Sequence, residues 1–492
     1  MACAGPLHAA REWRKLATPR YTIFTHASDH LTRDMASDFD EFLGVVDRFV
    51  IIEPENLKPL TIVLFADDSE FDSYKPLAAD GRNIDYIPAE REDVRMGSET
   101  ASLNGWTTIA VAAEDYEHQT RHVLLAGGVY WHLDALRMPA TPAVAHGTAM
   151  LLSTFKREIT HGELGRAPPG YVRVLDQWDL IPVKRLLTMT LQDSVASDTR
   201  VRFNAESWAL VHYLMFSKWA AQRHAFSTFW EALRDGAAPQ DALVKALGPD
   251  GVASINIDLH AYIHSSRYLV KIPMGPRVEN HDPIVAAGPM ELEIALAKAA
   301  MGGGRAPGAL AHADAAVAAA NGRPEAYDIR AEAVVFSKAP EADVEKAVDE
   351  ALAHGSREAW TICEKASFRF GRITDPAASP RELRAVIDLA EQAANLNPRL
   401  RSPFNLLAKA VTLSDHVTAV DAKLMAFAQS HFPADRWILV GQSAIYAKTG
   451  NLERARQLRD QALSEDIRLD PHQIPSIRAF LASVDRAGQP HS

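Results

Sequence analysis

The sequence predicts an α+β domain in the N-terminal half of the chain and an all-α helical repeat domain in the C-terminal half. Short β-rich runs alternate with one long amphipathic helix up to residue 113, and the pattern is then almost wholly helical to residue 265. From residue 309 to 485 the pattern is helical throughout, and the helices recur every 34 residues or so, roughly the period of stacked helix pairs. A sheet followed by helices is typical of an α+β domain.

The N-terminal elements follow from their hydrophobic periodicity. Leu31 to Phe49 carries apolar residues at helical spacing. Strands are predicted at Tyr21–Thr25, Leu60–Phe65, Asp85–Pro88, Trp106–Val111 and Tyr268–Ile272. Further helices are predicted at 116–137, 142–156, 182–192, 203–222, 225–235, 239–247 and 253–265.

Composition shifts suggest four segments along the chain. These are an N-terminal segment at 1–18, an α+β domain at 19–275, a linker with a first helix at 276–308, and the helical repeats at 309–492. The glycines at 302–304 predict a flexible joint between helices. A phosphate-binding role for this run is disfavoured, because no Gly-Lys-Ser/Thr ending or strand-to-helix setting accompanies it.

Composition and charge exclude several classes of function. The chain has 492 residues and a formal net charge of -11, so a basic face for nucleic acid is not expected. The sequence contains no stretch of about 18 or more uncharged apolar residues, so no transmembrane segment is predicted. Cys3 and Cys363 are the two cysteines, too few for a disulfide framework or a thiolate zinc cluster.

The first residues leave the compartment open. Ala2-Cys3-Ala4 has the Ala-x-Ala pattern that ends a signal peptide, but no apolar run precedes it. The protein is periplasmic or secreted if a leader was removed, with Cys3 as a possible lipid-anchor position. Otherwise it is cytoplasmic, and the run of small residues arose by chance.

The C-terminal helices carry small residues where paired helices approach each other, and prolines where helices end. The residues that match a repeat of paired helices are Ala390, Ala393, Pro398, Phe404, Leu407, Ala408, Leu439, Tyr446, Gly450, Ala455 and Ala462. These segments resemble tetratricopeptide repeats. The resemblance implies three or four stacked helix pairs with a concave surface that binds a protein or peptide partner. A plain helical bundle is the alternative.

Three stretches of the N-terminal half carry a second resemblance: Tyr21–Thr25, Pro142–Phe155 and Glu206–Leu214. Together they resemble a bacterial family of gluzincin-like domains, of the zincin metallopeptidase clan, that precede tetratricopeptide repeats. The resemblance covers roughly residues 10–275, and the family's zinc chemistry uses a His-Glu-x-x-His helix with a third ligand from a following helix.

The functional positions of that family are degenerate in this sequence. His146 matches the third ligand, and an alignment without gaps places Ala126 at the first histidine, Gly127 at the general base and Tyr130 at the second histidine. An alignment shifted by two residues instead places His132 at the second ligand. The resemblance therefore implies no catalytic residue, no metal and no cofactor, because neither the ligands nor the base remain.

Three residues, His132, His212 and Tyr213, are candidates for binding within the cleft. The leading hypothesis is a non-catalytic pseudo-metallopeptidase that acts as a protein- or peptide-binding scaffold through its vacated cleft and its helical repeats. A third hypothesis is that the N-terminal domain only stabilises the repeat array.

The alternative is a metal-dependent hydrolase with rearranged ligands. His118 and His122 have His-x-x-x-His spacing, which places both imidazoles on one helix face, and with His146 they could bind zinc. A carboxylate base would then come from elsewhere, with Glu114, Glu117 and Glu206 as candidates.

Overall fold

The computed structural model describes most of the chain. The described residues are 12–50, 52, 57–75, 105–113, 121–135, 141–167, 169–177, 179–189, 197–265, 269–433, 435–463, 475, 477, 478 and 481. The strands are β1 (Arg14–Ala17), β2 (Tyr21–Thr25), β3 (Leu60–Phe65), β4 (Thr107–Ala112), β5 (Lys156–Arg157), β6 (His161–Leu164), β7 (Val270–Pro273) and β8 (Ile284–Ala286).

Helices account for most of the described residues. Those of the N-terminal part are α1 (Asp29–Phe49), α2 (Asp68–Phe71), α3 (Arg121–Ala135), α4 (Pro142–Leu152), α5 (Pro169–Gln177), α6 (Val183–Leu186), α7 (Ser197–Phe216), α8 (Lys218–Gln222), α9 (Ala225–Arg234) and α10 (Pro239–Ser265). The C-terminal helices are α11 (Pro289–Gly302), α12 (Ala306–Ala319), α13 (Pro324–Phe336), α14 (Glu341–Ala353), α15 (Ala359–Gly371), α16 (Pro380–Leu396), α17 (Arg401–Leu413), α18 (Ala419–His431), α19 (Arg436–Lys448) and α20 (Leu452–Leu463).

A mixed sheet with the strand order β4-β3-β2-β1-β8 forms the centre of the N-terminal part. β2, β3 and β4 are parallel neighbours, while β1 is antiparallel to both β2 and β8. Successive side chains of a strand point to opposite faces. Ile23 and Ile62 accordingly join the core formed with α1 and α3, whereas Phe24 and Val63 pack on the other face against α11.

The long helix α1 forms because its apolar residues recur at helical spacing. Met35, Phe39, Phe42 and Val46 are fully buried against the sheet and α3. The helix begins after Ser28, whose side chain accepts a hydrogen bond from the Leu31 amide. The buried apolar residues form a stripe along α1 that fixes the helix on one face of the sheet.

Helices α4 to α10, with the small antiparallel sheet β5-β6-β7, form a helical lobe beside that layer. Its closest helix contact lies between α4 and α7. A β-carbon added at Gly147 would lie 2.2 Å from the Ser207 carbonyl oxygen, so only glycine permits this approach. The contact places α4 between α3 and α7.

The C-terminal helices form five consecutive antiparallel pairs, from α11 with α12 to α19 with α20. The first helices of the pairs begin at Pro289, Pro324, Ala359, Arg401 and Arg436, so the repeat is 35 residues long except for one of 42. The first helix of one pair packs beside that of the next for α11 with α13, α15 with α17 and α17 with α19, whereas second helices touch only loosely. We call the side of the array on which the first helices lie its inner side.

The array begins earlier than residue 309, where the sequence predicted the repeats to start. α11 is the first helix of the first pair, and its Ala295 and Leu296 also cover one face of the sheet. The glycines at 302–304 form the tight turn between α11 and α12, with Gly304 at φ 75°. The sheet is thus covered by α1 and α3 on one face and by the array on the other.

The structure confirms the predicted strands at Tyr21–Thr25 and Leu60–Phe65 and the long helix α1. The helix predicted at 182–192 spans only Val183–Leu186, and the predicted helix at 203–222 is two helices, α7 and α8. The predicted strand at 85–88 lies outside the described residues. Strands β1, β5, β6 and β8 were not predicted.

Candidate functional site

The positions that the resemblance assigns to a metal site lie where α3 packs against α4. Ala126 and Tyr130 are four residues apart and share one face of α3. The Tyr130 hydroxyl lies 2.9 Å from Nδ1 of His146 on α4. Ala126 and Gly127 are buried on the same helix and have no side-chain donor atom. The residues present therefore do not form the zinc site of the family.

His122 lies one helical turn before Ala126 and close enough to His146 to affect its charge. Burial, followed by the charge of His122, lowers the pKa of His146 to about 4, and burial also lowers the pKa of His122. Both imidazoles are therefore neutral at pH 7. Among the described residues, neither Nε2 atom has a hydrogen-bond partner, and both atoms are buried.

Glu206 on α7 was a candidate general base, but it is bound in a structural contact. Its Oε2 accepts a hydrogen bond of 2.7 Å from the Ile181 amide, and Oε1 lies 3.6 Å from Nε of Arg202. Burial raises the pKa of Glu206 to about 8 in spite of these contacts. The carboxyl group holds the backbone at Ile181 against α7, and it carries its proton at neutral pH.

His132 is also on α3, but it faces α1 and does not meet His146. Its Nδ1 donates to the Gly128 carbonyl oxygen at 2.8 Å, and its Nε2 lies 3.2 Å from Asp47 Oδ1 and 3.1 Å from the Arg20 guanidinium. Burial alone would raise the pKa of Asp47, but its hydrogen bonds with His132 and Arg20 lower it. His132 therefore connects α3 to α1.

His212 and Tyr213 lie near the C-terminal end of α7. His212 is buried between the Tyr262 hydroxyl, 2.7 Å from Nδ1, and the Gly165 carbonyl oxygen, 3.2 Å from Nε2. Tyr213 lines a cleft of about 810 Å³ between α8 and α10. The two residues are thus part of a different region from the one at Tyr130.

The remaining candidates cannot be placed in a common site. His118, Glu114 and Glu117 lie outside the described residues. Across the part of the chain that the structure describes, no three His, Cys, Asp or Glu side chains are close enough to hold a metal ion. Among the same residues, no helix is both long and apolar enough to span a bilayer.

The inner side of the array carries a second group of polar residues. Asn405 and Lys409 on α17 face α19, where the Lys409 ammonium lies 4.5 Å from the centre of the Trp437 ring. The Asn405 amide donates to Asp435 at 3.4 Å, while its buried Oδ1 has no partner among the described residues. Burial lowers the pKa of Lys409 and, on α15, raises that of Glu364. We call Glu364, Asn405, Lys409 and Trp437 the inner strip.

Sequence reasoning missed the inner strip, and it named Tyr213 as a binding candidate but not the cleft that Tyr213 lines. The residues of the strip come from three helices, so their proximity follows from the stacking of pairs and not from local spacing. The cleft had one local signal. Gly248-Pro249-Asp250-Gly251 is a turn signature, and in the structure Gly248 at φ 74° divides α10 into two helices.

The comparisons with known proteins give little to add to this geometry. No protein-family model matches the chain, and no curated protein matches it. One solved structure is similar: YrrB, described as a TPR protein with an unusual peptide-binding site. It has 15% sequence identity and a TM-score of 0.30, over 38% of this chain and 90% of the YrrB chain.

Proposed function

We propose that this protein is a non-catalytic scaffold that binds a peptide segment of a partner protein along the inner side of its helical array. The observation that carries the proposal is the inner strip. There a buried amide oxygen of Asn405 lacks a partner beside the partly buried cation of Lys409. Leaving a buried acceptor unpaired costs about 1–3 kcal/mol, which a peptide N–H would recover on binding.

The strip offers a peptide two kinds of contact. Asn405 Oδ1 accepts a hydrogen bond from a backbone N–H, and Lys409, which lies over the ring of the buried Trp437, approaches carbonyl or carboxylate oxygens. The helices that carry the strip are neighbours, because α15 packs against α17 and α17 packs against α19. The strip therefore suits an extended segment that passes across three helices.

We further propose that the N-terminal part is a pseudo-metallopeptidase. The contact between Tyr130 and His146 supports this, because the gapless alignment with the family assigns both residues to ligand positions. A phenol hydrogen-bonded to an imidazole, beside Ala126 and Gly127, supplies neither a general base nor three ligands. Peptide hydrolysis by the family's mechanism is not expected.

The test is selection of binding peptides on the full-length protein. Linear peptides selected from a random display library are titrated against the wild type, Asn405→Ala and Lys409→Met, with Lys423→Met on the exposed side of α18 as the control. The proposal predicts about tenfold weaker binding for both strip variants, the loss expected for one buried polar contact. Equal affinity of all four proteins for the selected peptides would contradict it.

One observation favours a second candidate function, the metal-dependent hydrolase. The Nε2 atoms of His122 and His146 are buried and lack partners among the described residues, so their lone pairs could bind zinc if a third ligand and a base joined them. This candidate predicts one zinc per chain and hydrolysis of the bound peptides. It also predicts loss of both in His146→Ala, whereas the scaffold proposal predicts no hydrolysis by either protein.

A further inference from the structure

The cleft at Tyr213 is formed by a short helix and a broken one. The N-cap of α8 is Ser217, whose hydroxyl accepts a hydrogen bond from the Ala220 amide. The opposite wall is the second half of α10, which starts after Gly248 leaves the helical conformation at φ 74°. The cleft is open to solvent, and its volume of about 810 Å³ lies within the range of small-molecule sites.

The two walls carry opposite charges. Lys218 and Arg223 lie on the α8 side, and Asp250 and Asp258 lie on the α10 side. Asp258 accepts a hydrogen bond from Ser254, and the Arg223 guanidinium lies over the Trp219 ring at 4.4 Å. Among the described residues, no ion pair joins the cations of one wall to the carboxylates of the other.

Between the charged walls the cleft has aromatic surface. Tyr213, Trp219 and Tyr262 line it, and Trp219 is held in position by the close approach of Gly251. A β-carbon at Gly251 would lie 2.9 Å from the Trp219 ring, so any larger residue would displace the ring. Aromatic rings of a ligand would stack in offset or edge-on contacts with these side chains.

We infer that this cleft binds a zwitterionic small molecule with an aromatic side group, of the chemical class of a free aromatic amino acid. The ligand carboxylate pairs with Arg223 and Lys218, its ammonium pairs with Asp250 and Asp258, and its ring packs among the aromatic residues. A simple anion would meet two carboxylates in the same space, and a simple cation would meet Lys218 and Arg223. A ligand with both charges satisfies both walls.

The experiment is a calorimetric titration of the full-length protein with L-phenylalanine as the probe. The analogues 3-phenylpropanoate, 2-phenylethylamine and L-alanine lack the ammonium, the carboxylate and the ring in turn. We expect saturable binding of L-phenylalanine and about tenfold weaker binding of each analogue, which is about 1.4 kcal/mol per lost contact. Absence of saturable binding up to about 10 mM would overturn the inference, as would equal affinity for 3-phenylpropanoate.

Variants assign the binding to this cleft. Arg223→Gln and Asp250→Asn change exposed residues and should each weaken L-phenylalanine binding about tenfold without lowering the melting temperature. The controls are Arg234→Gln and Asp241→Asn, exposed residues of α9 and α10 that do not line the cleft. Unchanged binding in both cleft variants would overturn the inference. Because the inner strip is untouched by these changes, the peptide-binding proposal is tested separately.

Discussion

Glu206 provides a test of how the region around the candidate site is built. Its pKa is about 8 in the folded protein against an ordinary value of 4.5, mainly because the carboxyl group is buried. The unfolded chain therefore releases this proton near pH 4.5, whereas the folded chain retains it until about pH 8. The stabilising contribution of Glu206 is complete at low pH and is lost as the pH rises through this window.

The magnitude follows from the shift. Each pKa unit corresponds to about 1.4 kcal/mol, so a rise from pH 5 to pH 8 should lower the free energy of unfolding by about 3 kcal/mol through this group alone. Glu206→Gln keeps an oxygen to accept the Ile181 amide but removes the titration. The variant should therefore gain about 3 kcal/mol on the wild type between pH 5 and pH 8.

The measurement is urea unfolding followed by circular dichroism at both pH values. Glu231→Gln serves as the control because Glu231 is exposed on α9, and its stability difference from the wild type should not change with pH. A stability difference between Glu206→Gln and the wild type that is the same at pH 5 and pH 8 would refute the reasoning. Glu206 would then be ionised in the folded protein and available as a base.

Three further changes test the packing. Gly147→Ala should cost about 1–3 kcal/mol of unfolding free energy, because the new methyl group meets the Ser207 carbonyl oxygen; an unchanged melting temperature would show that α4 and α7 are farther apart. Lys448→Met removes the ammonium that donates to the carbonyl oxygens of 411, 412 and 414 at the end of α17. It should cost about 2 kcal/mol or more in urea unfolding, and a neutral effect would contradict these contacts. The fragment 285–492 exposes the α11 face that contains Leu296, so it should melt at a lower temperature than the array of the full chain. An equal melting temperature for the fragment and for the array of the full chain would show that the sheet does not stabilise α11.

Hydrophobic periodicity predicted most of the long elements and missed the short ones. The stripe of α1 and the apolar run of β3 are local signals that burial reinforces. β1 contains Arg14 and Lys15 in four residues, and β8 has three residues, so neither carries an alternating pattern long enough to recognise. They are strands because β2 offers them a neighbour to pair with, directly for β1 and through β1 for β8.

The repeat period predicted the helix pairs but not where the array starts. α11 is rich in alanine and reads as an ordinary helix before a glycine run. Its place in the array depends on the sheet face that Phe24, Val63 and Phe65 leave for it. This is a contact between distant segments, which single-sequence periodicity does not encode.

The candidate site shows the same division. Tyr130 and His146, which the resemblance assigned to two ligand positions, lie in hydrogen-bond contact. The partners of His132 and His212 depend on Asp47, Arg20 and Tyr262, each far away in sequence. Sequence reasoning could name these histidines as candidates but could not distinguish a ligand from a structural hydrogen bond.

The zinc content of the purified full-length protein tests the central claim most directly. After incubation with excess zinc and removal of unbound metal, elemental analysis by mass spectrometry should find well under one zinc per chain, about a tenth or less, because Ala126 and Gly127 offer no ligand and Tyr130 is engaged with His146. About one tightly held zinc per chain, absent from His146→Ala, would contradict the scaffold account and favour the hydrolase.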